Sequence, residues 1–95
     1  MAVGDITRDA GFPVLVGDKW LLCGTMEVNT VLTAFALGGT KTYVHSVVFA
    51  GEDDALAMQC KLNENASATA TNGTIAAQSN LAQTNTVRYE ALMTM

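Results

Sequence analysis

In ALAMQCKLN, residues 55–63, every second side chain is apolar: Leu56, Met58, Cys60 and Leu62 face one way, and Ala57, Gln59, Lys61 and Asn63 the other. Such a two-residue period predicts a strand with one buried face, because successive side chains on an extended backbone point to opposite sides. The pattern returns in NTVRYEALM, where Val87, Tyr89, Ala91 and Met93 oppose Thr86, Arg88, Glu90 and Leu92. In KWLLCGTMEV, Trp20, Leu22, Met26 and Val28 share a face, with Gly24 between them as a bulge or a point of close backbone approach. KTYVHSVVF puts Tyr43, His45, Val47 and Phe49 on one face and Val44, Ser46 and Val48 on the other. Both of its faces are largely apolar, which predicts a central strand. Spacing at i, i+3, i+4, i+7 never persists beyond about one turn, which argues against long helices.

Turn signals punctuate these segments: VGDK at 16–19, VNT at 28–30, LGGT at 37–40, GEDD at 51–54 and TNG at 71–73. Spacing near ten residues predicts an all-β domain, a small sandwich or barrel-like body of about six to eight short, mostly antiparallel strands. We assign it residues 13–95, with residues 1–12 as an extended N-terminal arm. The stretch NENASATATNGTIAAQS, 63–79, could be a slack linker or a hairpin of small side chains. Asn72-Gly73 is a strong type I′ turn signal, so we read a hairpin turning there. Its strands carry so little bulk that they must lean on the main sheet or on another subunit.

A chain of 95 residues is one domain, and at this size folding buries only roughly 60–65% of the unfolded surface. The net charge is −4 with only 5 Lys and Arg, none clustered, which argues against nucleic acid as a partner because phosphate binding needs grouped cations. Charged residues make up 15% of the chain, against about 25% in an ordinary domain. A surface so poor in charge favours coverage by protein neighbours. No run of about 18 apolar residues is present, so no membrane-spanning helix is expected, and the first residues lack the basic and apolar regions of a secretory signal.

Candidate chemistry is sparse. His45, within an apolar strand, reads as a structural histidine more readily than as an acid/base or metal group. Cys23 and Cys60 read as two separate buried thiols, with a cross-strand disulfide as the alternative. A zinc site from Cys23, Cys60 and His45 would lack any local ligand pair. Glu52, Asp53 and Asp54 are consecutive and lack the alternating ligands of a calcium loop, so they read as a solvated turn. No nucleophile elbow or phosphate loop is present, and Phe12, Trp20, Phe35, Tyr43, Phe49 and Tyr89 are dispersed as core residues would be. The expectation is therefore a chain without catalytic role, cofactor, metal or small-molecule substrate.

Taken in order, MAVGDITRD, LVGDKWLLCGTMEVNT, a Gly-Gly turn before TYVHSVVF, an Asn-rich hairpin and NTVRYEALM resemble the small β-rich virion proteins of tailed bacteriophages, of the capsid decoration, cement or head-fibre type. The resemblance is one of texture and order across most of the chain. It implies a structural protein made in the host cytoplasm without a signal peptide and bound, as a homotrimer, to the major capsid protein lattice on the virion surface, which it stabilises. Other readings are a carbohydrate- or receptor-binding module of a fibre, and a tail or neck component. The surfaces expected to carry association are the arm, through Val3, Ile6 and Phe12, and the hairpin, through Asn72, Gly73 and Ile75. The arm could add as a strand to a neighbour or simply fray.

Overall fold

The computed structural model describes residues 2–95. Eight strands follow one another: β1 (Ile6–Arg8), β2 (Val14–Val16), β3 (Lys19–Val28), β4 (Thr33–Ala36), β5 (Tyr43–Gly51), β6 (Met58–Glu64), β7 (Ala70–Ser79) and β8 (Asn85–Thr94). They form two antiparallel sheets. The larger has the order β1-β3-β8-β5, with β2 beside β1 on the same flank of β3, and the smaller has the order β4-β7-β6. The sheets pack face to face as a β-sandwich.

The alternation read from sequence builds the core. Leu22, Met26 and Val28 of β3 meet Val87, Tyr89, Ala91 and Met93 of β8, and opposite them lie Phe35 of β4 and Ile75 and Ala77 of β7. Leu56, Met58 and Cys60 pack against this cluster as their spacing requires. Gly24 proves to be a close approach and not a bulge. A methyl group there would lie 2.0 Å from the Thr7 carbonyl oxygen and 2.9 Å from the Tyr89 hydroxyl, and that hydroxyl donates across the gap to the Thr7 carbonyl at 3.0 Å.

Four expectations need correction. First, among the described residues β5 pairs with β8 alone and so is an edge strand. Its register shifts between Val44 and Ser46, and this bulge at His45 resets the alternation. Val44 enters the core while His45 joins Tyr43 at the surface. The apolar character of both faces of β5 was therefore no sign of a central strand.

Second, the chain does not turn at Asn72-Gly73. β6 and β7 do form a hairpin, but its loop is Asn65–Thr69, where the Asn65 side-chain oxygen accepts from the Ser67 and Thr69 amides at 2.9 and 3.0 Å. The Asn65 amide donates to the Thr69 carbonyl at 3.0 Å, and Ala68 supplies the positive φ. Such an Asx-closed loop needs no Asn-Gly pair. Gly73 lies inside β7 with φ +82, buried against Gly38 and Gly39, and its carbonyl accepts from the Leu37 and Gly38 amides at 2.7 and 3.1 Å. The positive φ serves a bulge in which β7 carries residues 71–74 opposite the single residue Asn63.

Asn63 then ties the sheets together. Its side chain accepts from the Val44 amide at 3.0 Å and donates to the Val44 carbonyl at 2.9 Å.

Third, of the arm expected over residues 1–12, the described part, 2–12, is not free: Ile6, Thr7 and Arg8 pair with Met26, Thr25 and Gly24, and Ile6 and Phe12 pack on the core. Apolar side chains this close to an open flank of β3 gain more by covering it than by staying extended in solvent. Fourth, Ile75 is fully buried in the core and cannot serve as a contact residue in the folded chain.

Candidate interaction surface

The six residues expected to carry association are not gathered on one surface. Val3 is half-buried beside the β1 flank, Ile6 and Phe12 face the core, Gly73 and Ile75 are buried, and only Asn72 is exposed. The signal missed at sequence level lies on the outer face of the larger sheet, where the residues between the core positions of β3, β8, β2 and β5 line up.

Register pairs define the rows of that face. Val14 sits opposite Leu21, Leu21 opposite Leu92, and Leu92 opposite Ser46. The next row is Cys23, Glu90 and Val48, then Thr25, Arg88 and Ala50, then Glu27 and Thr86. The face is thus divided. One half is richer in apolar side chains, with Val14, Val16, Leu21, Leu92, Val48 and Tyr43 beside Lys19 and Ser46. Of these, Val16 is 52% exposed and Val48 62% exposed. The other half is polar, with Thr25, Arg88 and Thr86 along a shallow groove closed by Glu52 and Asp53.

The electrostatics follow the same division. Arg88 forms an ion pair with Asp9, and the hydrogen bond it donates to that carboxylate holds the guanidinium above its ordinary pKa. Glu27 is 5% exposed, and one of its carboxylate oxygens accepts from the Thr86 hydroxyl at 2.8 Å. The Cys23 thiol lies among these groups, and its pKa is raised by burial, then by the charges of Glu90 and Asp9. Cys60 belongs to the other sheet, where burial pushes its thiol up to about 11. A raised pKa keeps a thiol protonated and works against nucleophilic use.

Cys23, Cys60 and His45 stand on three different strands, and among the described residues no three His, Cys, Asp or Glu side chains come together as a metal site. His45, expected as a structural residue inside a strand, is exposed. Its Nε2 lies 2.6 Å from the Thr94 hydroxyl, and its ring meets that of Tyr43 edge-on with centroids 5.1 Å apart.

What this arrangement can do is bind. A part-apolar strand surface with a charged margin suits a protein neighbour, the apolar part supplying area and the polar part register. Comparison with family models, with curated proteins and with solved structures finds no match.

Proposed function

We propose that this chain is a structural virion protein of a tailed bacteriophage, one that binds the major capsid protein lattice and stabilises the capsid surface, without catalytic role. The observation that carries this reading is the apolar part of the outer face, where exposed Val14, Val16 and Val48 flank half-buried Leu21 and Leu92, on a chain with few charges. A small sandwich with one such face gains stability when a neighbour covers it, and many copies on a lattice multiply a modest contact through avidity. The resemblance of sequence texture supplies the class of neighbour.

The test is co-sedimentation with emptied tailed-phage capsids stripped of their decoration proteins. Saturable attachment is expected, with loss of attachment but unchanged circular dichroism in Val14→Asp and Val16→Asp. Attachment that is absent, or that survives both changes, refutes the reading. A second reading, a glycan- or receptor-binding module, is favoured by the exposed Tyr43–His45 pair, since an exposed ring face can stack on a sugar. Binding on a glycan array that disappears in Tyr43→Ala would select it.

A further inference from the structure

An antiparallel sandwich of this kind has four sheet flanks, and an unprotected flank is a template for another strand. Three of the four are blunted. The β1/β2 flank consists of two three-residue strands interrupted by Pro13. β4 has four residues. β6 carries Lys61 and Glu64 and is kinked at Asn63, where φ is 57. Short strands, proline, charge and bulges are the devices by which natural sheets refuse edge pairing.

The fourth flank, β5, lacks them along most of its length. Its nine residues contain no Asp, Glu, Lys, Arg or Pro, and its bulge lies at the start, before Ser46. Val44 turns both backbone groups to Asn63 and away from β8. Counting on through the bulge, the alternation of an antiparallel ladder then directs the amides and carbonyls of Val47 and Phe49 outward.

The charges flanking β5 are ordered. Lys41 precedes it, and Glu52, Asp53 and Asp54 follow it. We propose that β5 joins two copies of this chain as an antiparallel strand pair about a twofold axis at Val48, so that Val47 of each copy exchanges backbone bonds with Phe49 of the other. In that register the two Val48 side chains meet on the outer face, with Ser46 of each copy opposite Ala50 of the other. Lys41 of each copy meets the acidic run of the other, so both ends of the seam are charge-matched. A parallel pairing would instead set lysine against lysine and acid against acid. An isologous seam uses one patch twice and closes on itself. It would continue the larger sheet from one copy into the next and cover Val48, the most exposed large apolar side chain of β5. The twofold seam differs from the three-fold closure implied by the resemblance, and it stands whether or not the chain binds a capsid.

The test is light scattering coupled to size exclusion on the full chain over a concentration series. A mass near twice 10.0 kDa is expected. Val48→Lys, which installs the missing edge charge, should give a monomer with unchanged circular dichroism. Lys41→Glu should raise the dimer dissociation constant about tenfold, since it spoils two symmetric surface pairs. Combining it with Asp53→Lys should restore the wild-type value, a recovery that a general effect of charge on folding would not produce. A monomer at every concentration, a mass near three times 10.0 kDa, or a dimer indifferent to both single changes overturns the proposal. The capsid test uses Val14 and Val16, which lie on the opposite flank of the sheet, so either proposal can fail alone.

Discussion

Gly73→Ala should be among the most damaging single-methyl additions in this protein. Two costs act together. With φ at +82, any L side chain there is strained by about 1–2 kcal/mol. The added methyl carbon would also stand 2.4 Å from the Gly39 carbonyl oxygen and 2.7 Å from that of Gly38. Reaching an ordinary contact of 3.4 Å means moving that turn by 1.0 Å (3.4 − 2.4). The turn is held by the two amide bonds that Gly73 itself accepts, from Leu37 and Gly38. Their loss adds about 0.5–1.5 kcal/mol each. The lower entropy of alanine in the unfolded chain returns about 0.4–1 kcal/mol, leaving a net loss of about 3 kcal/mol. Gly17→Ala is the control: φ is +65 and nothing lies within 4 Å, so only strain applies and the net loss is about 1 kcal/mol. Urea unfolding followed by Trp20 fluorescence, at one protein concentration so that self-association contributes equally, measures both. A domain of this size has roughly 5–15 kcal/mol in total, so the difference is readable as a midpoint shift at constant slope. If the two variants lie within about 0.5 kcal/mol of each other, the close approach of β7 to the Gly38-Gly39 turn is wrong.

Asn63→Ala removes both bonds to Val44 and leaves its amide and carbonyl unpaired between the sheets, for an expected loss of about 2–4 kcal/mol by the same unfolding assay. Tyr89→Phe deletes the bond to Thr7 that clasps β1 against β3. It should cost about 1 kcal/mol and raise amide exchange in residues 6–8 before any other strand. The Cys60 thiol is raised from 9.0 to about 11 on folding, so the unfolded chain ionises first. Its contribution is complete below pH 9 and drains away as pH rises from 9 to 11, and Cys60→Ala should flatten that part of the stability profile.

Much of the fold was legible because burial enforces a period. β3, β6 and β8 each have one face against the core, and their alternation named Leu22, Met26, Val87, Tyr89 and Met93 correctly. What failed were signals with more than one structural use. An Asn-Gly pair reports positive φ, which a hairpin turn needs and which a bulge passing under a neighbouring turn needs equally. Asn65, five residues from the start of β7, closed the true loop through its own side chain, and nothing in NENAS marks that more strongly than TNG marks a turn. The two apolar faces of β5 likewise fit burial between strands, or a bulge that exposes part of an edge. The outer-face surface was hidden for a related reason. Val14, Leu21, Leu92 and Val48 come from four strands, and only the register brings them into line.

The position of β8 has a consequence for how the chain reaches this structure. It is the middle strand of the larger sheet, flanked along nearly its whole length by β3 and β5, yet all seven other strands precede it in the sequence. As the polypeptide leaves the ribosome, β3 and β5 have no contact with each other and must wait for the residues that separate them. The smaller sheet and its β6–β7 hairpin can form first, whereas the larger one closes only when residues near 93 reach residues near 20. Ladders joining such distant segments form slowly. During that interval the uncharged strand β5 lies open on both flanks, and the place meant for β8 is the one most exposed to a wrong partner.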